Sequence, residues 1–485
     1  MTAQTILPAN SVTGAYDVPN SLRFDDGASQ YLTKAVGTTS NRRTFTYSTW
    51  IKRGVLSGSA YPRIFNPFVD SNNFFDIYFR NTDALQIYSY SGGSDNIDLV
   101  TTQLFRDVSA WYHIVIAVDT TQGTAANRVK VYVNGSQVTS FSTSTYPGEN
   151  ADLQINVDGV SHVIGRNESG DNNYFDGYMA EVRFIDGLQL AASSFGEFDE
   201  DSAIWKPKSV AGLTSGTNGF YLQFKGSGTS ANSSGLGADT SGNDHHFSVG
   251  NLSALSQATD TCTNNFCTLN FLSGNEMNFQ HGNLVVAQAS DDGGGSRTDD
   301  NARGTMGVNV GKWYWETKLT GATAPCVVGI CFDELKMGDD LSGLTGVYAI
   351  QNASGTYAYR RENGTTSETA GFPNPVANNI MNVAFDADNA KLYLGINGTY
   401  YNKAGATGNP AGNSNETYSS IDTSFFWLPW IESRGDNQQA LMNFGGGTSF
   451  SISSGNADAN GFGNFEYAVP SGFFALCTKN LAEHG

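Results

Sequence analysis

Twice in this chain a strand-like run rich in Val, Leu and Tyr stops at Asn-Gly. VKVYV (129–133) leads into Asn134-Gly135, and KLYLGI (391–396) leads into Asn397-Gly398. Asn-Gly supplies two residues that tolerate positive φ, as a type I′ turn requires, and that turn's twist matches the strands it joins. The lead-in repeats as well. A strand ends in Asp (Ala117-Val118-Asp119; Ala384-Phe385-Asp386), and a turn-rich stretch follows. The repetition predicts two β-sandwiches of related design.

The rest of the sequence has the same texture. FTYSTWI (45–51) places Phe45, Tyr47, Thr49 and Ile51 on one face and Trp50 on the other, as in a strand buried on both sides. FFDIYFR, LQIYSY and WYHIVIAVD follow at the spacing of an all-β sandwich. Strong helical periodicity is absent. Charged residues make up 15% of the chain, against a usual ~25%, while 30 Phe, 22 Tyr and 7 Trp supply core material, so wholesale disorder is excluded.

Charge restricts the partners. With 27 Lys+Arg against 46 Asp+Glu the chain carries −19, which disfavours nucleic-acid backbones and anionic membranes. No apolar run approaches the ~18 residues of a membrane span, and the N-terminal sequence lacks a secretion-signal pattern. The five cysteines (262, 267, 326, 331, 477) read as buried thiols, because their spacing suits neither a disulfide framework nor a zinc site. No HExxH, GxSxG or phosphate-loop motif is present. The acidic run Glu197–Asp201 lacks the carboxylate register of a glycosidase strand and reads as a solvated turn.

Two family resemblances follow from these stretches. SLRFDDGASQYL (21–32), FTYSTWIKR, WYHIVIAVD, VKVYVNGSQV and YFDGYMAEVRFIDG (174–187) resemble, in order and spacing, the laminin-G-like, concanavalin A-like jelly-roll family. GKWYWETKL (311–319), CVVGICF (326–332), NNIMNVAFDADNAKLYLGINGTYY (378–401), FFWLPWIES and NFGGGTSF resemble the SPRY, or B30.2-like, family. The junction sequence, including FGEFDEDSAIWKPK and LGADTSGNDHHF, together with GFFALCTKNL near the C-terminus, is similar to structural proteins of tailed, particularly marine, bacteriophages.

These resemblances imply an all-β fold of two concanavalin A-like antiparallel jelly-roll sandwiches in tandem. The expected organisation is an N-terminal virion-attachment arm (1–20), a laminin-G-like sandwich (21–205), a Gly/Ser/Thr-rich connector with edge strands (206–275) and a SPRY-like sandwich (276–485). The implied function is that of a non-enzymatic virion protein (tail fibre, head fibre or capsid decoration) that adheres to host-surface glycans and assembles with other virion proteins, a homotrimer being the preferred state. The alternatives are a polysaccharide-degrading tail enzyme and a purely architectural capsid cement protein.

Candidate sites follow from loop chemistry. Calcium takes six to eight oxygen ligands, and Asn167, Glu168, Asp171 and Asp176 in NESGDNNYFDG are the expected ligands; Asp291, Asp292, Asp299 and Asp300 form a second acidic loop. For a ligand, Tyr359, Arg360 and Arg361 stand out because Arg is scarce here and suits stacked or bidentate recognition. The bland reading is that the two arginines balance nearby acid. Arg434 and Asp436, in an Arg-Gly-Asp triplet, complete the set. No catalytic residue is assigned, and no cofactor beyond calcium.

Overall fold

The computed structural model describes residues 16–170, 172–274, 277–288, 301–321, 326–335, 345–352, 355–433 and 438–485. They fall into two compact units, one from residues 16–263 and one from 264–485. Each is an antiparallel two-sheet sandwich, apart from one short parallel pairing in the second unit. Helix is confined to short pieces, chiefly Ala125–Arg128 and Thr478–His484. No helix among the described residues is long and apolar enough to cross a membrane.

In the first unit an eight-stranded sheet runs in the order Ser136–Gln137, Val129–Val133, Trp111–Asp119, Thr44–Arg53, Gly177–Asp186, Ser21–Phe24 and Gln257–Ala258, with Phe220–Leu222 also paired to Gly177–Asp186. The facing nine-stranded sheet runs Phe141–Thr145, Ser94–Leu104, Ala84–Ser91, Asn73–Phe79, Arg63–Phe65, Ser161–Ile164, Tyr31–Ala35 and Ser248–Gly250, with Phe68–Asp70 alongside. Alternation decides the core. Phe45, Tyr47 and Ile51 point inward with Phe75, Ile77, Leu85, Ile87, Met179 and Phe184, all fully buried. Trp50 lies on the opposite face, packed with Ala180 and Val18.

The segment 206–275, read from sequence as one connector, divides between the units. Phe220–Leu222, Ser248–Gly250 and Gln257–Ala258 each join a sheet of the first unit. From Asn264 onward the chain packs with the second.

The second unit pairs a nine-stranded sheet centred on Lys312–Leu319, Ile380–Asp386 and Lys391–Ile396 with a six-stranded sheet ordered Asn301–Arg303, Trp427–Ser433, Cys326–Phe332, Val347–Gln351, Tyr357–Glu362 and Thr365–Pro373. Trp313, Tyr314 and Trp315 are all buried, so this strand is covered on both faces. Both Asn-Gly turns adopt the expected geometry, with φ of 46° and 78° at Asn134-Gly135 and 50° and 82° at Asn397-Gly398. All five cysteines are free thiols, and burial pushes Cys326, Cys331 and Cys477 up to about 12.

Candidate functional site

The outer face of the first unit's nine-stranded sheet carries a cluster of aromatic side chains. In Asn73–Phe79, Phe75, Ile77 and Phe79 enter the core, which turns Phe74, Asp76 and Tyr78 outward. Ala84–Ser91 repeats the pattern, with Leu85 and Ile87 inward and Gln86, Tyr88 and Tyr90 outward. Register brings the outward sets together as the pairs Phe74↔Tyr90, Asp76↔Tyr88 and Tyr78↔Gln86. Phe68 joins from its own short strand opposite Phe74.

The result is four half-buried rings at stacking distance. Centroids are 6.2 Å apart for Phe68–Phe74, 5.8 Å for Phe74–Tyr90, 5.7 Å for Phe74–Tyr88 and 6.2 Å for Tyr88–Tyr90. Polar groups border them in fixed orientations. Tyr88 Oη donates to Asp95 (2.5 Å), Tyr78 Oη donates to Gln86 (2.5 Å), and Gln86 Nε2 donates to Asp98 (2.6 Å). Arg63 stacks on Tyr78 at 4.3 Å and pairs with buried Asp76 at 3.1 Å. Burial holds the Asp76 carboxyl up to about 6, against the opposing pull of Arg63. Flat apolar rings bordered by oriented donors and acceptors suit a ligand with apolar C–H faces and equatorial hydroxyls.

The opposite outer face, on the eight-stranded sheet, is covered by the unit's own chain. Leu190, Ala192, Phe195, Trp205, Val210 and Leu213 pack over Val115, Ile185 and Tyr221. Tyr16 and Val18 lie against Trp50 and Ala180, and Asp260 receives Lys52 Nζ (2.8 Å) and Trp111 Nε1 (3.2 Å). Beneath this cover, Glu181 has φ +51° in a bulge of Gly177–Asp186 and accepts from Tyr16 Oη (3.2 Å) and Tyr221 Oη. Its other oxygen, Oε1, and Arg183 Nε have no hydrogen-bond partner among the described residues, and both residues line a small pocket with Ser48, Trp50 and His113. Burial raises the Glu181 carboxyl.

Ser48 and His113 resemble a nucleophile–base pair, 2.9 Å apart, but the proton sits on the wrong nitrogen. Trp205 Nε1 donates to His113 Nδ1 (3.0 Å), so neutral His113 carries its proton on Nε2 and donates to Ser48. Burial pushes this imidazole down to about 3. The pair serves packing between the Trp50 and Trp205 rings.

A third cluster lies where Ser21–Phe24 ends and Gly177–Asp186 begins. Carboxylate oxygens of Asp25, Asp26 and Asp176 lie within 4.8 Å of one another, with Asp26 solvent-facing and the other two buried. Asp25 also caps Gly27 N (3.0 Å), and partial desolvation plus the neighbouring Asp25 charge raise Asp26. These three could hold a divalent cation through oxygen ligands. Asp176 was expected to act with Asn167, Glu168 and Asp171. In the structure Glu168 pairs with Arg166, and Asn167 Oδ1 accepts from Ser169 N and Oγ (both 3.2 Å). Asp171 lies outside the described residues, as do Asp291, Asp292, Asp299 and Asp300.

In the second unit Tyr359 is exposed, while Arg360 donates to Ser367 (2.7 Å) and pairs with Glu362 (3.0 Å). Arg361 is buried and donates to Gln351 Oε1 (3.0 and 2.7 Å) and Thr366 Oγ1 (2.8 Å). Both arginines are thus engaged within their own sheet, on Tyr357–Glu362, which lies inside the sheet with Thr365–Pro373 at its edge. Arg434 and Asp436 lie outside the described residues.

The fold of both units is that of jelly-roll sandwiches. Residues 26–192, about a third of the chain, match the family model of the concanavalin A-like lectin/glucanases superfamily. Solved structures that resemble the chain include the SPRY domain of human HERC1 (12% identity, TM-score 0.27, 38% of this chain and 99% of that one). Others are a putative carbohydrate binding protein from Bacteroides ovatus (15%, 0.32, 48% and 58%) and domain 4 of AbnA, an extracellular arabinanase from Geobacillus stearothermophilus in complex with arabinotriose (22%, 0.24, 31% and 64%). No curated protein matches the sequence.

Proposed function

We propose that this chain is a non-enzymatic glycan-binding protein whose first unit takes carbohydrate on the outer face of its nine-stranded sheet. The observation that carries the reading is the platform of Phe68, Phe74, Tyr88 and Tyr90, four rings held half-exposed within one concanavalin A-like domain. An aromatic patch left facing solvent marks a contact surface. The sequence likeness to tailed-phage structural proteins extends the proposal. The chain would be displayed on a virion, as a trimer beside other virion proteins, where repetition strengthens weak single-site binding.

Glycan-array binding by the full chain tests this reading. Phe74→Ala/Tyr88→Ala should lower affinity by about tenfold or more, at ~1.4 kcal/mol per decade, with the unfolding midpoint held near wild type. Unchanged binding by the double variant sinks the platform. Mass spectrometry of purified virions and sedimentation of the isolated chain test the display and trimer proposals.

A hydrolytic reading is favoured by one observation. Burial raises the Glu181 carboxyl, the direction a general acid requires, and the residue lines a small pocket with Ser48 and His113. Release of reducing sugar from polysaccharide, abolished by Glu181→Gln, would replace the binding proposal.

A further inference from the structure

Resting on the platform reading, we infer that its ligand is a glycan chain without acidic groups. The five strands that build the platform (Arg63–Phe65, Phe68–Asp70, Asn73–Phe79, Ala84–Ser91 and Ser94–Leu104) carry four carboxylates, Asp70, Asp76, Asp95 and Asp98, and one cation, Arg63. The arginine is already committed, since its guanidinium pairs with Asp76 and donates to Tyr61 O (2.7 Å). Asp95 and Asp98 are held at the ring edges by Tyr88 and Gln86, and Asp70 caps the turn at Asn72 and Asn73 beside Phe68.

A uronate, sulfate or sialate laid across Tyr88 would therefore meet fixed negative charge with no available partner on these strands. Like-charge contacts of this kind reject a ligand more effectively than a missing attraction does. An uncharged pyranose meets the same carboxylates as hydrogen-bond acceptors for its hydroxyls, and charge-assisted bonds of that type are strong. The ring faces stack on either ligand alike. Discrimination comes from Asp95 and Asp98, and binding from Phe74, Tyr88 and Tyr90.

The test is a titration of the full chain with uncharged glucan and xylan oligosaccharides and with oligogalacturonate and oligoalginate, at low and at high salt. Uncharged chains should bind at least tenfold tighter than acidic ones in low salt, and the gap should narrow as screening shortens the range of repulsion. Asp95→Asn/Asp98→Asn should raise the affinity for acidic chains. Acidic chains that bind as tightly as uncharged ones, and lose binding in Phe74→Ala/Tyr88→Ala, overturn this inference and leave the platform standing. Absence of binding by every glycan, or binding indifferent to Phe74 and Tyr88, overturns the platform itself.

Discussion

His162 shows how much a single buried side chain decides. Its imidazole sits among Phe65 (5.3 Å), Phe184 (5.4 Å) and Phe220 (6.2 Å), and Nε2 has no hydrogen-bond partner among the described residues. Burial, reinforced by His245 and Lys34, pushes it down to about 3. Between that value and the unfolded ~6.5 the unfolded chain binds the extra proton, so stability falls as pH drops below ~6.5. At pH 5 this amounts to about 2 kcal/mol. His162→Phe should remove that share, so urea midpoints of the variant and wild type diverge on going from pH 7 to 5. Parallel midpoints would contradict it. Glu316 illustrates the opposite device. Its two oxygens accept from Tyr314 Oη, Asn443 Nδ2 and the backbone N–H groups of Glu466 and Tyr467. Glu316→Gln turns an amide toward one of these donors and should cost about 2 kcal/mol in urea unfolding.

At the scale of elements, the Asn134-Gly135 hairpin is legible in sequence because its signal is local: two residues set the turn, and the flanking alternation sets the strands. Its neighbourhood was not legible. A Cβ on Gly135 would come within 2.2 Å of the Trp205 ring, contributed by a segment far along the chain. Gly135→Ala therefore combines left-handed strain with a clash and should destabilise the first unit by about 2 kcal/mol, against a few tenths for an open site such as Gly123→Ala. Equal effects would refute that account. The platform was hidden for a related reason. NFFDIYF places aromatics on both faces, and LQIYSY sets Leu85 and Ile87 against Tyr88 and Tyr90, so both faces carry bulk and alternation alone does not say which turns outward; pairing with partner strands decides it. The Asp25–Asp26–Asp176 cluster forms where Phe24 pairs with Gly177, two positions far apart in sequence, so reading the loop around Asp176 by itself pointed to Asn167, Glu168 and Asp171 as its companions. Calcium is proposed for this cluster. Millimolar CaCl2 should raise the melting temperature of wild type but not of Asp25→Asn/Asp176→Asn, and an unchanged wild-type melting temperature would remove the metal.

For the whole molecule, fold class was readable because composition, alternation and turn chemistry all point to β structure, and because the strand-like stretches that carry the two resemblances fall in order along the chain. Function was less readable, since the two arginines singled out in the second unit are engaged by Glu362, Gln351 and their neighbours. The charge of −19 carries its own prediction. At low salt the chain should pass a heparin column unretained and leave anionic vesicles uncoated; retention would reveal a basic patch that its net charge conceals.

The covering of the eight-stranded sheet has a practical consequence. A sandwich ordinarily has two broad exteriors, and this one has turned the first into an interior by laying its own chain over Trp50, His113 and Glu181. The module is thus one-sided, like a tile glazed on a single surface. Any assembly that displays it must grip it by the back or the rim, and copies fixed in a lattice would all have to face the same way to be of use.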